Sequence, residues 1–145
     1  MELSGSHRAP VDGARPLGIP SPDEPVEVTL VLRRRSTTEA FEAAFVAATG
    51  PARGRHYISR ADFAATHGAH PDDLARVRAF AAAHQFTVVG EHAGARTVSL
   101  AGPLRAIEEA FGVHLERWTY DNGSYRGRSG PIQLPAELSG IVLGV

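Results

Sequence analysis

The chain is 145 residues long, with 15 arginines, no lysine, 16 aspartates and glutamates, no cysteine and a formal net charge of −1. That length fits one domain with a core of its own, and no stretch nears the ~18 uninterrupted apolar residues of a membrane-spanning helix. The missing cysteine excludes disulfides, thiolate catalysis and zinc–thiolate sites, and the near-neutral charge removes the bulk electrostatic pull towards nucleic acid.

Residues 1–8 lack a basic segment followed by an apolar core and do not read as a standard secretory signal. Residues 1–25 carry Pro10, Pro16, Pro20, Pro22 and Pro25 with little periodicity, which predicts an extended or mobile arm. Order begins at Val26. Val26, Val28, Leu30 and Leu32 alternate with Glu27, Thr29, Val31 and Arg33, the period of a half-buried strand. Thr37 or Thr38 then caps a short helix with Phe41, Ala44, Phe45 and Ala48 at helical spacing, stopped by Gly50-Pro51. Ser59 with Asp62 three residues on resembles a capping box and opens a second short helix, ended by Gly68. Pro71 opens the longest helix, about 71–85, with Leu74, Val77, Phe80, Ala81 and His84 as its inner stripe.

Two strands follow, over about 86–90 and 96–101, around a His92-Ala93-Gly94-Ala95 turn. Pro103 starts a helix with Leu104, Ile107 and Phe111 inward and Gly112 as its stop. A strand from Val113 to Tyr120 comes next. Asp121-Asn122-Gly123 turns it into a return arm through Tyr125 and Arg126. Pro135 then opens a terminal helix that reaches Val145.

Without the two small helices, the order is strand, helix, strand, strand, helix, strand. That is the ferredoxin-like split βαβ pattern of an α+β fold. It predicts, over residues 26–145, a four-stranded antiparallel sheet with helices on one face, plus a C-terminal hairpin and terminal helix. The helix-facing residues are then Val28, Leu30, Leu32, Phe86, Val88, Val98, Leu100, Val113 and Leu115. The opposite face shows Glu27, Thr29, Val31, Thr87, Val89, Thr97, Ser99, His114, Glu116, Trp118 and Tyr120, with nothing else in the chain to cover it. Such a face is either a solvated antiparallel surface or an interface. As an interface, its docking candidates are Thr29, Val31, Arg33, Val89, Thr97, Ser99, His114, Glu116, Trp118 and Tyr120.

Catalytic chemistry is absent from the motifs. None of the nine serines sits in a Gly-x-Ser-x-Gly context. Glu108 and Glu109 are adjacent and point to different sides of a helix, and no phosphate-cradling glycine motif or Walker lysine exists. His67 and His70 flank Gly68 at a helix boundary, where capping is the ordinary role and metal binding would need a third ligand. Arg33-Arg34-Arg35 reads as a solvated strand end or as a surface for an acidic partner. The central strands lack the stacking aromatics that RNA binding through such a sheet requires.

From about Gly5 to its end the sequence resembles the activation (pro) domain of kumamolisin-like sedolisins, the serine-carboxyl peptidases. The resemblance rests on Gly5-Ser6-His7-Arg8-Ala9-Pro10 with Gly13-Ala14, and on Glu27-Val28-Thr29-Leu30-Val31-Leu32-Arg33-Arg34. It continues through Tyr57, Asp62-Phe63-Ala64, Gly68, Asp72-Asp73, Val77, Phe80, His84, Phe86, Gly102-Pro103 and Ala110-Phe111-Gly112-Val113. Tyr125-Arg126-Gly127-Arg128, Gly130 and Leu134-Pro135 complete it.

The resemblance implies the N-terminal activation domain of a secreted, acid-acting endopeptidase. Such a domain is a folding template and inhibitor that docks in cis on a subtilisin-like catalytic domain and is removed by self-cleavage at low pH. It implies no catalytic, cofactor-binding or metal residue in this chain. The nucleophilic serine in a Gly-Thr-Ser context, a Glu/Asp pair four residues apart and the calcium site all lie downstream. Family members continue past the terminal helix into an aromatic-Gly-Leu-Asp segment and a linker, which Gly140–Val145 does not reach. Neither a nucleic acid nor a membrane is an expected partner.

On this reading the open sheet face meets the catalytic domain, with Trp118 as its anchor. Protonating all seven histidines takes the formal charge from −1 to +6, and His114, expected on that face, is the first candidate for acid-driven release. A stand-alone protease inhibitor would use the same surface, whereas a small-ligand-binding ferredoxin-like domain would show a pocket instead.

Overall fold

The computed structural model describes residues 1–145. In chain order it contains β1 (Arg15–Gly18), β2 (Pro25–Leu32), α1 (Thr38–Thr49), α2 (Arg60–His67), α3 (Pro71–Ala83) and β3 (Thr87–His92). Then come β4 (Thr97–Pro103), α4 (Leu104–Phe111), β5 (Leu115–Tyr120), β6 (Gly123–Arg128) and β7 (Val142–Gly144), with single 3-10 turns at Ala52–Gly54 and Ala136–Leu138. The fold is α+β, with two antiparallel sheets ordered β3-β4-β2-β7 and β1-β5-β6.

The helix starts are set by their first residues. The side chains of Thr37 and Ser59 accept from the backbone N–H of Ala40 and Asp62, and Pro71 sits in the first turn of α3 behind His70, whose ring caps Asp72. Gly68 ends α2 where no side chain fits: a Cβ there would collide with the carbonyl oxygens of Ala64 and Ala93.

Because β4 is antiparallel to both β2 and β3, those two run parallel with β4 between them, which is the split βαβ core. Leu30 and Leu32 of β2 and Val98 and Leu100 of β4 are fully buried beneath Leu74, Val77 and Phe80 of α3 and Leu104, Ile107 and Phe111 of α4. Phe80, Phe86 and Phe111 form a triangle with ring centroids 5.8–6.4 Å apart. Each such side chain stabilises the fold by about 1.5–3 kcal/mol through its burial alone.

Two expectations are corrected. The terminal helix does not form. Pro135 opens only the 3-10 turn Ala136–Leu138, Gly140 then takes φ +78°, and the chain passes through Ile141 into β7, which pairs with the edge of β2 from Val142. A left-handed residue followed by β-branched ones breaks a helix and favours a strand. β7 thereby becomes the fourth strand of the main sheet. The strand expected over Val113 to Tyr120 begins at Leu115 and leaves that sheet. It pairs with β6 through the Asp121-Asn122-Gly123 turn and with β1 on its other side.

The arm over residues 1–25 is extended and seated on the body. Leu3 and Ser6 are buried, the Leu3 N–H donates to Ile132, Arg8 and Gly130 exchange backbone hydrogen bonds, and the Ser6 hydroxyl accepts from the Ile132 N–H. Arg128 donates to the carbonyls of Ser6 and Gly130; burial, and then the nearby charge of Arg8, push its pKa below the ordinary value.

Candidate functional site

The main sheet carries α3 and α4 on one side. The other side is built by the alternate residues of β2 and β4: Thr29 stands opposite Ser99, Val31 opposite Thr97 and Glu27 opposite Ala101. The Thr29 and Ser99 hydroxyls share a hydrogen bond of 2.9 Å at its centre. On the flanking strands Gly90 faces Ser99, His92 faces Thr97 and Gly144 faces Val31. Thr29 and Glu27 are exposed, while Val31, Thr97, Ser99 and Ala101 are half-buried by their neighbours.

The consequence is a flat face of low relief. Gly, Ala, Ser and Thr dominate its middle, so another backbone element can approach closely. The two central hydroxyls share one hydrogen bond, which lowers the cost of covering them. The register shift in β3 between Val88 and Gly90 leaves Val89 as the extra residue of a bulge, exposed on the edge strand. Thr87, also exposed, faces Ala101.

The other sequence candidates stand elsewhere. Trp118 and Tyr120 belong to the three-stranded sheet, not to this face. Trp118 pairs with Tyr125 and Pro16, and Tyr125 accepts the Val11 N–H through its hydroxyl at 3.1 Å. Glu24 ties that sheet to the start of β2 through Arg117 and Arg126, at 2.8 and 2.5 Å. His114 and Glu116 lie there too. His114 has its Nδ1 3.2 Å from Glu108 and its Nε2 3.9 Å from Glu116, so its ring stands between two carboxylates. Glu108 also accepts the Leu115 N–H, which fixes the start of β5.

Arg33 is part of the fold. Its guanidinium grips the 2%-exposed Asp73 in the first turn of α3 with two hydrogen bonds of 2.7 and 3.0 Å, and that hydrogen bonding, with the adjacent charge, raises its pKa. Sequence reasoning missed Gly90, Ala101 and Gly144 as part of the open face. Gly140-Ile141-Val142 was the one signal that β7 would complete it.

No helix is long and apolar enough to cross a membrane, and no cluster of three or more His, Asp or Glu side chains is placed to hold a metal ion.

Comparison with known proteins adds the family. The model of the pro-kumamolisin activation domain matches residues 12–145. Kumamolisin from Bacillus sp. (strain MN-32) is 36% identical over 143 residues, covering 99% of this chain and 26% of the relative. The chain thus spans about a quarter of the length of the curated relative it matches.

Proposed function

The chain belongs to the pro-kumamolisin activation domain family, and on that premise we propose that it is the N-terminal activation domain of a secreted, acid-acting serine-carboxyl endopeptidase. It docks on the catalytic domain in cis through the open face of the main sheet, guides its folding and holds it inactive until self-cleavage at low pH removes it. The single observation that carries this reading is the bare, low-relief face of β2 and β4, backed by a fully packed core on its other side.

Physically, templating is mass action. A domain that binds the folded enzyme and its late folding states, but not the unfolded chain, stabilises the former two. A standard interface of ~800 Å² per partner suffices. Rigidity helps, because a preformed sheet loses little conformational entropy on docking. Calcium, where the family holds it, belongs to the catalytic domain in this reading.

The test is inhibition in trans. Added to a mature kumamolisin-type catalytic domain near neutral pH, the chain gives saturable one-to-one inhibition of peptide hydrolysis, and the inhibition weakens as the pH falls. Full peptidase activity at saturating amounts of folded chain would rule the reading out.

A further inference from the structure

α1 carries Phe41, Ala44, Phe45 and Ala48 at helical spacing, yet contributes no buried residue. A stripe of this kind ordinarily packs on a core. Here it forms one wall of a trough of about 460 Å³ whose opposite wall is Ile58 and Phe63, with His56 its one polar lining residue. Phe45 is 60% exposed and Ile58 45%. From Phe41 to Ala48 the trough follows two turns of α1, about 10 Å. The alanines on that stripe leave its floor shallow enough for a second backbone.

A cation stands at its edge, in a segment rich in arginine. Arg34 lies over the Phe41 ring, 3.7 Å from the centroid. Arg35 donates to the Ala65 carbonyl and Arg55 to that of Gly50. The arginines elsewhere that form ion pairs are Arg33, Arg78, Arg105, Arg117 and Arg126; none of Arg34, Arg35, Arg53, Arg55 or Arg60 has a carboxylate partner. Over residues 34–67 those five arginines stand against three carboxylates, Glu39, Glu42 and Asp62, in a chain whose net charge is −1. Asp62 is further engaged by the Ser59 hydroxyl at 2.7 Å.

We propose that the trough between α1 and α2 is a second docking site, distinct from the sheet face, that takes an acidic amphipathic helix of a partner protein. Its apolar stripe fills the two-turn trough as in helix-in-groove recognition, and its carboxylates meet Arg34 at the edge and the other arginines of this segment that lack a carboxylate partner, which set specificity and encounter rate. A second copy of this chain fits poorly. It would bring one arginine-rich segment against another, and the copy's own α1 has its stripe turned into its own trough.

The probe is a fluorescein-labelled peptide of about three helical turns with leucine at i, i+3, i+4 and i+7 and glutamate elsewhere, measured by anisotropy against the full chain. A matched peptide with lysine for glutamate is the control. The glutamate peptide binds at least about tenfold tighter than the lysine one, and raised salt weakens it. Phe45→Glu lowers its affinity about tenfold or more with unchanged circular dichroism and melting, since Phe45 is exposed. Ser99→Arg, on the sheet face, leaves it unchanged, which separates this site from the one above. Failure of the glutamate peptide to bind, equal binding of the lysine peptide, or indifference to Phe45→Glu overturns the proposal. So does a dimer in sedimentation that Phe45→Glu dissolves, because the occupant is then a second copy.

Discussion

At the scale of single residues, the structure turns on a few side chains that pair across distant parts of the chain. Asp73 is buried, and Arg33 is its partner. Arg33→Ala strands a buried carboxylate, so it lowers the melting temperature more than Arg78→Ala, which breaks an ion pair whose carboxylate, Glu91, remains in contact with water. Adding Asp73→Asn to Arg33→Ala recovers part of the loss. Equal melting temperatures for the two single variants would contradict the assignment. In the core, Phe111→Ala costs about 3–5 kcal/mol in denaturant unfolding, because Phe111 closes the aromatic triangle between α3 and α4. The sequence showed Phe111 as a core residue through its spacing with Leu104 and Ile107. It did not show Arg33 as a structural residue, because a triple arginine run at a strand end carries no sign of a carboxylate 40 residues on.

At the scale of elements, legibility followed the chemistry of the ends. Thr37, Ser59, Pro71 and Pro103 mark helix starts by satisfying or lacking the N–H groups that helix termini orphan, a local property that a sequence displays. Pairing partners are not local. β1 contains Pro16, which reads as arm rather than strand, and it is tolerated only because β1 is the edge of its sheet. With that partner hidden, the period-2 pattern places β5 in the main sheet, whereas the structure puts it, with Trp118, in the three-stranded one. Pro135 misled in the opposite sense, since a proline opens a three-residue 3-10 turn as readily as a helix. Gly140 then directs the chain out of that turn and into β7. A Cβ there meets nothing within 4 Å, so Gly140→Ala tests backbone conformation alone. It destabilises by about 1–2 kcal/mol in denaturant unfolding, whereas a neutral or stabilising effect would mean that β7 is entered without the left-handed turn.

At the scale of the whole molecule, one layer of helices on one layer of sheet leaves a choice of surfaces, and the chain differentiates them. The helix side is closed by the core. The three-stranded sheet is stitched to the arm by Glu24, Arg117, Arg126 and Tyr125. The open side of β2 and β4 is left small-residued at its middle, with the Thr29 and Ser99 hydroxyls bonded to one another, which suits it to the close approach of a rigid partner. In the proposed acid release His114 is not the trigger, because it stands off the open face, beside the start of the three-stranded sheet and between Glu108 and Glu116. His114→Gln therefore leaves the pH profile of dissociation from the catalytic domain unchanged, and a profile displaced by the substitution would restore His114 as the trigger.

The most direct measurement is calorimetric titration of a mature kumamolisin-type catalytic domain with three folded forms of the chain: unaltered, Ser99→Arg and Trp118→Ala. Docking through the open face predicts that Ser99→Arg weakens binding at least about tenfold, the scale of a hot-spot loss at an interface centre, while Trp118→Ala binds like the unaltered chain. The reverse ranking, with Ser99→Arg bound normally and Trp118→Ala impaired, would place the partner on the three-stranded sheet and contradict the account.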